Sequence, residues 1–271
     1  MREKRGALRE LWLDLRSILW PCSCVICGAA NRELCLPCET GLRATIGRAG
    51  RVAAPLLAEV WAYGPYEGAM RRLIVKYKHG GAIRFAPLLG ALFAGPLVAA
   101  LERGSGSALI VTAPSRIERV RSRGYRHLDL IVSHSLRYIT RQGHKRGQLG
   151  SFLPGALQAA PGRAGQLGLS AADRIRNAKK VRVPRHLHSR LQGSEVVLVD
   201  DIMTTGATLN AAMQALAAVG ARVVAVAIMN NTQRKDEINS DGLLNNVELE
   251  GATAVGFEKG VKVRPPMWPP A

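Results

Sequence analysis

VVLVDDIMTTGATL, residues 196–209, places two aspartates side by side after an apolar run and follows them with Thr204, Thr205, Gly206, Ala207 and Thr208. Paired carboxylates repel, and neither can hydrogen-bond the other while both are ionised. The run before them is continuous rather than alternating, as in a strand covered on both faces, which means a parallel sheet with helices on either side. In such sheets ligands lie beyond the carboxyl ends of the strands. VVLV would therefore deliver Asp200 and Asp201 to a binding edge. A helix starting near Gly206–Ala207 aims free N–H groups and a positive dipole end at the same spot. The threonine hydroxyls, with Gly206 admitting close backbone approach, complete an anion cradle. The carboxylates suit vicinal ribose hydroxyls or a hydrated magnesium ion instead. A ribose 5-phosphate group answers both halves. A helix cap would explain one aspartate, not a pair with three threonines and a glycine. No GxxxxGK[ST] occurs, and no GxGxxG follows a strand, so other nucleotide cradles are unsupported.

Outward from this stretch, ALIVTAP (108–114), GALQ (155–158), VRV (181–183) and RVVAVAI (222–228) also read as strands. SHSLRYIT (133–140) and ATLNAAMQALAAVG (207–220) have helical spacing. In the latter Leu209, Ala212, Met213, Leu216 and Val219 share one face, and Gly220 is a natural stop. The fold class expected is α/β, a parallel sheet with helices on both faces and a small N-terminal cysteine segment. Four sections follow: an amphipathic helix over 1–20, the cysteine segment over 21–45, the α/β domain over 55–229, and a weakly ordered tail over 230–271.

The 38 Lys+Arg exceed the 20 Asp+Glu in these 271 residues, a net charge of +18. Such a surface favours anionic partners, whether nucleic acid, phosphorylated metabolites or acidic lipid. Residues 114–146 hold nine Arg/Lys against two acids. Arg119, Arg121 and Arg123, next to a strand end, suit pyrophosphate, which arginine grips with two parallel bonds. Lys76, Tyr77 and Lys78 interleave an aromatic with cations, as single-strand nucleic-acid grooves do. His79, His127 and His144 pair with no nucleophile in the sequence, and no catalytic residue is assigned. The longest uncharged run, Phe85–Leu101, is broken by Pro87, Gly90, Gly95 and Pro96 and reads as a helix packed on a core, so no membrane span is expected. Asp14 and Arg16 interrupt the apolar N-terminal stretch, and a cytoplasmic location is the simpler expectation.

All five cysteines fall between positions 22 and 38. Cys24-x2-Cys27 and Cys35-x2-Cys38 form two CxxC knuckles, with Gly28 permitting the first turn. Four thiolates so spaced suit a structural, tetrahedral Zn²⁺. An iron–sulfur site and redox disulfides are the rivals, and zinc leads because paired knuckles are specific and no open coordination position is evident. Cys22 could replace a ligand or stay free.

The 196–209 stretch resembles the 5-phosphoribosyl-1-pyrophosphate (PRPP) signature of type I phosphoribosyltransferases. With YGPYEGAMRRLIVKYKHGG (63–81), APSRIERVRSRGYRH (113–127) and QLGLSAADRIRN (166–177) in that order, residues 20–229 resemble the ComF family, which is linked to DNA uptake in competent bacteria. The resemblance implies that Asp200 and Asp201 bind the ribose hydroxyls and that Thr204–Thr208 hold the 5-phosphate. It also implies that Ala113, Pro114 and Ser115, with Arg119, Arg121 and Arg123, serve the pyrophosphate. Where the family usually has Asn-Gln after its RG-aromatic motif, this chain has Arg126 and His127 after Tyr125. The activity implied is phosphoribosyl transfer from PRPP, with Mg²⁺ on the pyrophosphate, to an acceptor the sequence does not specify. The alternatives are a non-catalytic accessory binding single-stranded DNA or competence proteins, and a PRPP-sensing regulator.

Overall fold

The computed structural model describes residues 22–115, 117–144, 149–159 and 181–232. The expected N-terminal helix (1–20), the 166–177 block and nearly all of the tail lie outside the described residues.

A knuckle at residues 22–30 leads into helix α1 (Leu36–Arg43), then strands β1 (Gly50–Val52) and β2 (Glu59–Pro65). Helix α2 (Gly68–His79) buries Met70, Leu73, Ile74 and Tyr77 at i, i+3, i+4, i+7 spacing, and exposes Arg71, Arg72 and Lys76. Helix α3 (Ala86–Leu101) is buried all round, because the sheet lies on one side and α1 and a second long helix lie on others. It begins with Pro87 in its first turn, where the missing N–H costs nothing. Ile83–Leu101 is long and apolar enough to cross a membrane, yet it is mostly buried inside the fold. The expectation of a core helix is met.

Strand β3 (Leu109–Thr112) runs to a short helix α4 (Ile117–Arg123) and then α5 (His127–Arg141), which packs along α3. Strands β4 (Ser151–Phe152), β5 (Gln158–Ala159) and β6 (Val181–Arg182) are two-residue pieces. A single-turn helix α6 (His188–Leu191) precedes β7 (Glu195–Met203), α7 (Ala207–Ala217) and β8 (Arg222–Asn231).

The main sheet has the order β1-β2-β8-β7-β3-β4, and only β1 runs antiparallel to its neighbour. This is the mixed α/β architecture expected. GALQ and VRV do not join the parallel sheet. They form a separate two-stranded antiparallel ladder, Gln158↔Arg182 and Ala159↔Val181. Their apolar residues Leu157 and Val183 pack under the sheet face that α7 covers. Strand β2 was not expected as a strand, and it lies beside β8 in parallel register, Val60↔Val226. The buried Asn230 side chain pins that pair by donating to the carbonyls of Gly64 and Pro65 at 3.1 and 2.8 Å.

Two cores flank the sheet. Val197 and Val199 of β7 face the side of α2, α3 and α5, while Val196 and Leu198 face α7. Helix α7 buries Leu209, Ala212 and Leu216 as expected, and it closes on Gly220 at φ +78°, with Ala221 N–H donating to the Leu216 carbonyl.

Candidate functional site

From β3 the chain crosses to β4 on one side, and from β7 it crosses to β8 on the other. The sheet therefore reverses direction between β3 and β7, and a crevice opens beyond their carboxyl ends. Register pairs Thr112 with Val199, and the Ala113 N–H donates to the Val199 carbonyl at 2.7 Å. Ala113, Pro114 and Ser115 thus leave the sheet beside the point where β7 reaches Asp200. The strand runs further than VVLV: β7 stays paired to β8 through Met203, so both acids sit on the strand itself.

The two acids have different surroundings. Asp201 is buried on the side of α2 and α5, where Oδ2 lies 2.5 Å from Lys78 Nζ and 2.5 Å from His127 Nε2. Burial opposes its ionisation, but the Lys78 charge and the His127 bond outweigh it and hold the carboxyl well below the usual carboxylate range. Strand alternation sends Asp200 the other way, toward α7, where it is half-buried and its Oδ1 accepts the Asp201 N–H at 2.8 Å.

Beyond Met203, Thr204 and Thr205 are exposed, and Gly206 adopts φ +70°, a conformation that disfavours a side chain. Gly206 is the N-cap of α7 and has no side chain to cap it, while the Ala207 N–H donates to the Thr205 hydroxyl at 3.4 Å. The first 13-atom ring closes from Asn210 N–H to the Gly206 carbonyl, so the N–H groups ahead of it lie at the loop. The side chain of Leu56, from the β1–β2 connection, stands over Gly206.

Of the three arginines, Arg119 and Arg123 share one face of α4, and Arg121 falls on the opposite one. The first pair looks toward His79 at the end of α2: burial, then the charges of Arg123, Lys78 and Arg119, lower the His79 pKa. Arg123 is half-buried, with a guanidinium nitrogen 2.9 Å from His127 Nδ1. Tyr77 is fully buried and Lys78 is ion-paired, so the reading of Lys76–Lys78 as a stacking groove is corrected. The sequence named Lys78 and His127 without placing either at the acid pair, where the structure puts both, and it did not name Asp129. Asp129 accepts from the Thr112 hydroxyl at 2.7 Å, and burial pushes its pKa up. Nothing in the chain near His127 points to Asp201, 74 residues away.

At the other end of the chain Cys24, Cys27, Cys35 and Cys38 bring their sulfurs within 4.8 Å of one another. A tetrahedron of ~2.3 Å bonds needs sulfurs about 3.8 Å apart, and Cys27 and Cys35 stand at 3.5 Å. Gly28 at φ +81° turns the first knuckle, and Cys35 is the N-cap of α1, so the second knuckle is a helix start. Burial opposes the Cys24 thiolate, but backbone N–H groups of Cys27, Cys35 and Ile26 lower its pKa to about 6. Cys38 is pushed up to about 12, chiefly by Cys35. Sulfurs this close hinder each other's ionisation, and a divalent cation would deprotonate them together. The donor set fits Zn²⁺, and Cys22 stands outside the group.

The phosphoribosyl transferase domain model matches residues 135–263, which takes in β7, the acid pair and the threonine loop. The ribose-phosphate pyrophosphokinase of Sulfurisphaera tokodaii is 27% identical over 161 residues, 56% of this chain and 51% of that protein. The chain thus spans about half the length of the curated relative it matches. Fold and match together support a phosphoribosyltransferase-type domain, joined here to a four-cysteine cluster that could bind zinc.

Proposed function

We propose that the chain binds PRPP in the crevice beyond β3 and β7 and transfers its phosphoribosyl group, in a Mg²⁺-dependent reaction, to an acceptor still to be identified. The observation that carries this reading is the meeting, at the sheet's reversal point, of a half-exposed Asp200 with the N-terminus of α7 and its loop Thr204–Thr208. Asp200 would take the ribose hydroxyls, and the loop would take the 5-phosphate. Ala113–Ser115 with Arg119 and Arg123 would receive the pyrophosphate and its Mg²⁺. Asp201 would act from behind, as the anchor of Lys78 and His127. The name of the matched pyrophosphokinase speaks of a ribose phosphate and a pyrophosphoryl group, the same two halves of the ligand. Transfer passes through a cationic ribose, so the protein's task is positioning and stabilising the departing pyrophosphate.

The four-cysteine cluster beside such a domain supports the narrower proposal of a ComF-type protein with a role in DNA uptake. A specific observation favours DNA binding as a second reading: Arg71, Arg72 and Lys76 of α2 and Arg119 and Arg121 of α4 are all exposed cations, and the charge of Arg119 acts on His79 at the end of α2. Calorimetric titration with PRPP and Mg²⁺, then pyrophosphate release on adding nitrogenous acceptors, tests the main proposal. Binding without release under every acceptor would reduce the protein to a PRPP sensor, and absence of binding would end the reading.

A further inference from the structure

His127 is 7% exposed, and both ring nitrogens are engaged: Nε2 with Asp201 Oδ2 at 2.5 Å and Nδ1 with Arg123 at 2.9 Å. A guanidinium only donates. Nδ1 must therefore accept, and the ring proton must sit on Nε2, donated to Asp201. A doubly protonated ring would turn an N–H toward Arg123. The backbone at His127 is also fixed, since the Tyr77 hydroxyl donates to its carbonyl at 2.9 Å and the Tyr125 hydroxyl donates to the Tyr77 carbonyl at 2.8 Å. Around this ring stand Asp201 from β7, Lys78 and His79 from α2, Arg119 and Arg123 from α4, Arg126 just before α5 and Asp129 within it.

We propose that His127 is a positioning residue that couples the two halves of the crevice, aligning Arg123 for the ligand's pyrophosphate through a neutral ring anchored on Asp201. The inference rests on the PRPP reading above and adds to it. One of the five guanidinium N–H groups is spent on Nδ1, which leaves the others for a diphosphate. An arginine already fixed by His127 loses less conformational freedom when the anion arrives than one that must be ordered on binding.

The test uses the full chain with inorganic pyrophosphate and Mg²⁺ as one probe and ribose 5-phosphate as the other. Long-range proton–nitrogen spectra of the parent should show His127 as the Nε2–H tautomer at neutral pH. His127→Phe should bind pyrophosphate about tenfold more weakly, while ribose 5-phosphate binding stays within about twofold. His127→Gln, which offers one donor and one acceptor, should restore pyrophosphate binding to within about threefold of the parent. An Nδ1–H tautomer, undiminished pyrophosphate binding in His127→Phe, or equal loss of both ligands would overturn the positioning role and leave the PRPP reading standing. A parent that binds neither ligand would overturn the PRPP reading and the positioning role with it. Should His127→Phe fail to fold, the parent tautomer and the His127→Gln titration decide.

Discussion

Asp201 meets Lys78 and His127 at 2.5 Å each, whereas Asp200 is half-buried beside the threonine loop, so the same substitution should have two outcomes. Asp201→Asn leaves a largely buried lysine without its counter-charge and should destabilise the fold by about 3 kcal/mol, measured by urea unfolding. Asp200→Asn should change stability by less than about 0.5 kcal/mol. Its effect should appear in PRPP titration, as a loss of at least about tenfold in affinity. Acid should act through Asp201 as well. Its folded pKa is depressed, so its stabilising contribution is fully present above the unfolded value of about 3.9 and is lost as pH falls through the folded one. Thermal unfolding of the parent should therefore weaken below about pH 4. Asp201→Asn should flatten that dependence, and an unchanged acid limb would count against the assignment. That the pair lies toward the carboxyl end of a buried strand was legible in the sequence. That one acid faces inward was not, because strand alternation assigns opposite sides without saying which side holds a lysine.

Helix α3 shows the same division at the scale of an element. Its uncharged run reads as apolar and broken by glycines, but Gly90 and Gly95 are close-approach positions rather than breaks. A Cβ at Gly90 would fall 2.4 Å from His134 Cβ on α5, and one at Gly95 would fall 2.7 Å from the backbone carbonyls of Gly47 and Arg48. The Ser135 hydroxyl also reaches the Gly90 carbonyl at 2.7 Å. Gly90→Ala must push the two helices apart, and it should cost about 1–3 kcal/mol although alanine is the better helix former. Chemical denaturation checks this, and a stabilised variant would show that α3 and α5 pack less tightly than the structure has them. The short piece β4 was not read as a strand, since two residues carry no periodicity, and GALQ and VRV were read as strands without any sign that they pair with each other.

Across the whole molecule, the cysteine segment is joined to the main core and does not stand apart. Leu42 belongs to that core, Val25, Ile26, Leu34 and Ile46 pack against it, Glu33 pairs with Arg84, and the Thr45 hydroxyl meets the Tyr63 hydroxyl at 2.5 Å. Purified protein should carry one Zn²⁺ per chain, and Cys35→Ser should lose it. Chelation should raise hydrogen exchange first over residues 22–46, and through the shared core it should lower the Tm by about 5 °C. Iron in the elemental analysis, or an unchanged Tm after chelation, would contradict this. Single-stranded DNA binding, if it uses the exposed cations of α2 and α4, should weaken with salt. Arg119→Gln with Arg121→Gln should then reduce the salt slope by about 0.7 for each DNA phosphate no longer neutralised. Parent protein that does not bind DNA near physiological salt would remove that role.

The sequence by itself determined the parallel α/β class, the strand that carries the acid pair with the helix after it, and the two CxxC knuckles, while the structure left Cys22 outside the cluster. Each rests on local chemistry: continuous apolar runs, a glycine-and-threonine turn, and sulfurs at fixed short spacing. Tertiary structure alone decided that β2 lies beside β8 and that GALQ and VRV leave the main sheet. It also brought Lys78, Arg123, His127 and Asp201, separated by up to 123 residues in the chain, into one buried network. Pairing partners of strands and the counter-ion of a buried carboxylate are set by which distant segments meet, and no local pattern encodes that meeting.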